Sequence, residues 1–70
     1  MASLGQMRNT MFRKLMAGEF GEIRAEMLAH DHVLSSLGGR TADQALEAGI
    51  PAKEIWLAVC EAFDVPEHRR

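Results

Sequence analysis

Tyrosine is absent from this 70-residue chain, and cysteine occurs once, at Cys60. A single cysteine excludes an intrachain disulfide, so nothing covalent staples the fold. Domains of this size bury only about 60% of their unfolded surface, which leaves stability to packing alone. A lone thiol points to a reducing, intracellular compartment, and the expected location is cytoplasmic. Aromatics are scarce as well: Phe12, Phe20, Phe63 and Trp56 are the whole supply. No apolar run approaches the ~20 residues that a membrane-spanning helix needs, so no membrane partner is expected.

What is present suits a compact domain. The hydrophobic fraction is 47%, too high for a disordered chain. Net charge is -2, but its distribution says more than its size. Residues 41–67 carry Asp43, Glu47, Glu54, Glu61, Asp64 and Glu67 against Lys53 alone, a balance of -5. Residues 1–40 hold five arginines or lysines against four acids, and Arg69 and Arg70 close the chain.

The second half has the more legible pattern. Thr41 and Gln44 have the spacing of a capping box, in which each side chain satisfies an orphan backbone N–H. Gly49 follows the last residue of a short helix over about Ala42 to Ala48, where a left-handed backbone costs glycine little. Pro51 stands at the start of the next helix, about Ala52 to Phe63, where its missing N–H is tolerated. Val65-Pro66 ends that helix. Helix, glycine turn and helix together make a helix-turn-helix-like pattern.

Upstream, Asn9 or Thr10 is the expected cap of a first helix that ends at Gly21. Its apolar positions Met11, Phe12, Leu15, Met16 and Phe20 recur at helical spacing. A second helix is expected from about Glu22 to Leu37, with Ile23, Met27, Leu34 and Leu37 as its stripe and His30 or Asp31 in the gap. Gly38-Gly39 stops it. Residues 1–6 lack periodicity and read as a flexible extension before a native start at Met7. The fold class is all-α, a compact bundle of about four short helices over residues 7–70, with no strands. Its predicted core is Phe12, Met16, Phe20, Met27, Leu34, Leu46, Ile55, Trp56, Val59 and Phe63.

From Met7 onward the chain resembles a small actinobacterial family of uncharacterised proteins. The resemblance is carried by Phe12, Met16, Phe20-Gly21, Asp31-His32-Val33-Leu34 and Leu37-Gly38-Gly39-Arg40-Thr41. It continues through Ala45-Leu46, Ala48-Gly49, Trp56 and Ala58-Val59-Cys60-Glu61-Ala62-Phe63-Asp64-Val65-Pro66. Genes of that family often lie near those for the recombinase RecA and its regulator RecX. The resemblance implies a cytoplasmic protein linked to DNA repair, and it brings no catalytic or ligand residues with it.

Catalysis and metal binding fare poorly on the residues themselves. In a helix, His30 and His32 point roughly 200° apart and do not converge on one ion. Asp31 and His32 diverge likewise, so the carboxylate does not orient the imidazole for Ser35 or Ser36. Neither an enzyme nor a cofactor is expected. Asp31, His32, Arg40 and Thr41 read as structural polar residues, with Asp31 and Arg40 pairing across the glycine turn. Cys60 reads as a small buried hydrophobe.

Two partner classes remain. Readout of DNA through the last helix needs Arg, Lys, Asn or Gln at its start, whereas the outward positions are Lys53, Glu54, Leu57 and Glu61. Acids facing phosphates oppose binding. The preferred reading is therefore a protein-interaction module, with Leu57 as an apolar centre and Lys53, Glu54 and Glu61 at its rim. The alternative is a nucleic-acid-binding protein that uses Arg8, Arg13 and Lys14 with Arg69 and Arg70.

Overall fold

Trp56 sits at the centre of the molecule. It is 2% exposed, and its indole meets the Phe12 ring edge-on, with centroids 6.4 Å apart at 78°. Around this pair the computed structural model describes Met7–Arg70; the expected extension over residues 1–6 lies outside the described residues. The elements are α1 (Asn9–Phe20), α2 (Glu22–Asp31), β1 (Val33–Leu34), a 3₁₀ turn (Ser35–Leu37), β2 (Arg40–Thr41), α3 (Ala42–Glu47), α4 (Ala52–Ala62) and a last 3₁₀ turn (Glu67–Arg69). Four helices carry most of the core, so the all-α class holds.

The first helix starts with no side-chain cap: Arg8 is the capping residue, in place of the expected Asn9 or Thr10. One residue, Gly21, then joins α1 to α2. Its N–H donates to the Ala17 carbonyl at 2.8 Å, and its own carbonyl accepts from the Ala25 N–H at 2.8 Å. That double duty sets its φ at 86°, which a side chain would oppose.

Here the structure corrects the expected second helix. It ends at Asp31 rather than Leu37, and Val33-Leu34 pair antiparallel with Arg40-Thr41 in the register Val33↔Thr41 and Leu34↔Arg40. The expectation of no strands therefore fails. Gly38 and Gly39, both at positive φ, reverse the chain as well as stop a helix, and the reversal brings the segments on either side into a ladder. Leu34 and Leu37 still reach the core, but from the ladder and the 3₁₀ turn.

The buried face of α2 is corrected too. Ile23 is 80% exposed and Met27 59% exposed, while Ala25 and Ala29 are buried against α1 and α3. Small residues let helix backbones approach closely, and a hollow of ≈ 210 Å³ remains between α1 and α2, lined by Phe12, Met16, Ala25 and Ala29 among others. Phe20, Leu46 and Phe63 are half-buried at the margin of the core.

The second half forms as its local signals direct. Thr41 Oγ1 accepts from the Gln44 N–H at 3.1 Å, and Gln44 Oε1 accepts from the Thr41 N–H at 3.0 Å. Helix α3 closes in a Schellman turn: the Ile50 N–H donates to Ala45 at 3.0 Å and the Gly49 N–H to Leu46 at 3.1 Å, with Gly49 at φ 86°. Pro51 stands at the start of α4 as expected, as its extended cap before Ala52. Helix α4 ends similarly, the Val65 N–H donating to Cys60 at 2.9 Å past Asp64 at φ 55°. That turn folds Val65 back into the core.

Candidate functional site: a groove along the last helix

A groove of ≈ 440 Å³ runs beside α4. It is lined by Glu54, Leu57, Ala58 and Glu61 of α4, by Ile50, and by Ser36, Leu37 and Arg40 from the segment before α3. A smaller hollow of ≈ 250 Å³ adjoins it under Val33 and Leu34. Ser36, Ala58 and Glu61 border both spaces, so they form one trough between α4 and the segment His32–Leu37. The wall exists because α2 stops at Asp31. A helix continuing to Leu37, as the sequence suggested, would not have built it.

Of the expected partner surface, the structure brings Leu57, Glu54 and Glu61 together on this trough. Leu57 is 39% exposed, the exposed large apolar residue of α4, whose Ile55, Trp56, Val59 and Cys60 are buried. Glu54, Leu57, Ala58 and Glu61 stand at i, i+3, i+4 and i+7, the spacing of one helical face. Lys53 is exposed but does not line the trough. Val33, also exposed, extends the apolar surface along the facing wall.

Arg40 does not pair with Asp31, contrary to expectation. Its Nη1 donates to the Leu37 carbonyl at 3.1 Å, which folds the guanidinium back over the glycine turn. A Cβ added at Gly38 would come within 2.9 Å of that nitrogen. Asp31 is exposed at the end of α2, where the helix stops short of the turn. Thr41 is buried as the cap of α3. His32 packs its ring on Phe63, with centroids 4.8 Å apart.

The conspicuous acid is instead Asp43, which sequence reasoning passed over. His30 Nδ1 lies 3.6 Å from its Oδ2 and Arg13 Nη2 3.9 Å from its Oδ1. Asp43 thus gathers α1 and α2 onto the start of α3. The contact is long-range, and no local spacing announces it. His30 therefore faces Asp43 while His32 faces Phe63, so the two imidazoles serve different neighbours. Cys60 is fully buried, and burial raises its thiol pKa; Arg70 lowers it and Glu19 raises it, both by smaller amounts. A protonated, enclosed thiol is a poor nucleophile.

The alternative basic set is not one surface. Arg69 grips Glu19 through two hydrogen bonds, at 3.2 and 2.9 Å, and Arg70 Nε donates to the Val65 carbonyl at 2.9 Å. Arg13 faces Asp43. Arg8 and Lys14 are exposed and have no ion pair among the described residues. They lie six residues apart on or beside α1, roughly 120° from each other around its axis. No helix among the described residues is long and apolar enough to cross a membrane.

Comparison with known proteins gives a family but no activity. A Mycobacterium tuberculosis (strain ATCC 25618 / H37Rv) protein named "Putative envelope-preserving system protein" is 50% identical over 36 residues. That stretch is 51% of this chain and 13% of the relative, so the similarity spans a small part of the larger protein's length. No solved structure matches the chain. The family model described as "Protein of unknown function (DUF3046)" matches residues 7–68, and the chain belongs to that family.

Proposed function

We propose that the protein is a non-catalytic interaction module that receives a segment of another protein in the trough between α4 and His32–Leu37. One observation carries the reading. Leu57 is exposed in the lining of a concave surface, with Glu54 and Glu61 on either side along the same helix. An apolar centre with a polar rim is the anatomy of a protein-binding patch. Met11, Ile23 and Met27 are exposed on the other helices; Ile23 and Met27 stand on the face of α2 opposite its buried alanines, away from the hollow between α1 and α2.

The cellular setting belongs to the proposal as well. The resemblance to a family encoded near RecA and RecX supports a cytoplasmic accessory of recombination or repair. The name of the mycobacterial relative adds an envelope-preserving system as a second setting for the same kind of module. Nucleic acid is the less favoured partner, because three of the five candidate cations are engaged by groups of the protein itself.

The test is a comparison of the parent with Leu57→Glu. The variant keeps the parent's fold, since Leu57 is only partly buried, and it loses capture of the partner from native lysate. Labelled DNA is titrated in parallel at two salt concentrations. Tight, salt-sensitive DNA binding by the parent that disappears in Arg13→Glu/Lys14→Glu would replace this reading with the nucleic-acid one.

A further inference from the structure

The trough has a sign. Glu54 and Glu61 flank Leu57 along α4, seven residues apart, or about 10.5 Å at 1.5 Å per residue. Neither carboxylate is in an ion pair: those among the described residues are Arg13–Asp43, His30–Asp43 and Arg69–Glu19. Lys53 precedes Glu54 by one residue and so points roughly 100° away around the helix. Across the trough Arg40 is the one cation of the lining among the described residues. Its Nη1 donates to the Leu37 carbonyl, a bond that turns it toward the glycine turn and leaves its charge, so the lining carries two carboxylates against one guanidinium.

A wholly apolar occupant would cover Glu54 and Glu61 without answering them, and an acidic one would be repelled. We infer that the occupant is a basic amphipathic helix of a partner protein. An apolar side chain seats against Leu57 and Ile50, and two lysine or arginine side chains about 10 Å apart reach Glu54 and Glu61. A helix meets this requirement with cations at i and i+7 and apolar residues at i+3 and i+4, its apolar stripe laid in the trough. The inference rests on the docking reading above and specifies the partner's chemistry.

The experiment titrates isotope-labelled protein with three capped, alanine-based helical peptides and follows amide chemical shifts. All three carry leucine at i+3 and i+4; they differ in having lysine, glutamine or glutamate at i and i+7. The lysine peptide is expected to bind tightest, to move the amides of Leu57, Ala58 and Glu61, and to weaken as salt rises. Glu54→Gln/Glu61→Gln should reduce its affinity about two- to thirtyfold, the span of two exposed ion pairs. Both residues are exposed, so the variant keeps its fold, and its own amide spectrum checks this. Suppose the glutamine or glutamate peptide binds as tightly as the lysine one, with shifts centred on Leu57. The trough would then remain a docking site, and its basic partner would be refuted. If no peptide moves Leu57 and Ala58, or if Leu57→Ser binds like the parent, the docking reading falls with it.

Discussion

Replacing Trp56 separates two contributions that the structure superimposes at one position. The side chain is 2% exposed and stacks edge-on against Phe12, yet its indole Nε1 is buried without a hydrogen-bond partner. Truncating it to alanine removes the ring and leaves a cavity, at a cost of about 3–5 kcal/mol. A chain of 70 residues has a total stability of roughly 3.5–10 kcal/mol, at 0.05–0.15 per residue. Trp56→Ala is therefore expected to be largely unfolded at the lower end of that range and to keep only about 5–7 kcal/mol at the upper. Trp56→Phe differs: it loses roughly 1–2 kcal/mol of burial and packing. It also deletes a donor whose unsatisfied burial costs about 1–3 kcal/mol. The net change should lie between a loss of about 1 kcal/mol and a gain of about 2, at some 4–8 °C in midpoint per kcal/mol for a domain of this length. Far-UV circular dichroism in thermal and urea melts is the assay, because the substitutions remove the only tryptophan. A cooperative Trp56→Ala melt near the parent's would refute the central place given to Trp56. A Trp56→Phe loss as large as the alanine loss would refute the argument about the indole N–H.

Three further outcomes follow from particular contacts. Asp64 is the non-glycine residue with positive φ among those described, so Asp64→Gly should relieve strain and raise stability by about 0.5–1 kcal/mol in a thermal melt; a lowered midpoint would mean that the Asp64 side chain holds the turn. Asp31→Ala and Arg40→Ala should be additive in a double-mutant cycle, since Arg40 bonds the Leu37 carbonyl instead; a coupling above ~0.5 kcal/mol would restore the pair. Cys60 should resist a thiol reagent until the protein unfolds. Because burial raises its folded pKa above the ordinary 9.0, the unfolded thiol ionises first as pH climbs. Its contribution to stability is thus complete below that value and declines above it, and Cys60→Ala should flatten the decline.

Much of the second half was legible because its signals are local. The Thr41–Gln44 box and the Gly49 turn each need only a few consecutive residues, and both form as their spacing requires. The first half misled for a definite reason. Ile23 and Met27 recur at helical spacing, but close approach of α1 and α2 favours Ala25 and Ala29, whose small side chains carry little weight in a hydrophobic stripe. The gap at His30-Asp31 marked the end of α2, and a ladder of two residues per strand is too short to show a period of two. Leu57 could be placed on the outer face of α4 from sequence. The wall opposite it could not, nor could the approach of Arg13 and His30 to Asp43, because both depend on segments distant in the chain.

The central claim is that the trough beside Leu57 is where a partner docks. A photo-crosslinking amino acid placed at position 57, and separately at position 23 on the outer face of α2, tests it in native cells. The account predicts a discrete adduct of one additional mass through position 57 and none through position 23. Adducts of equal yield at both positions, or an adduct through position 23 alone, would contradict it.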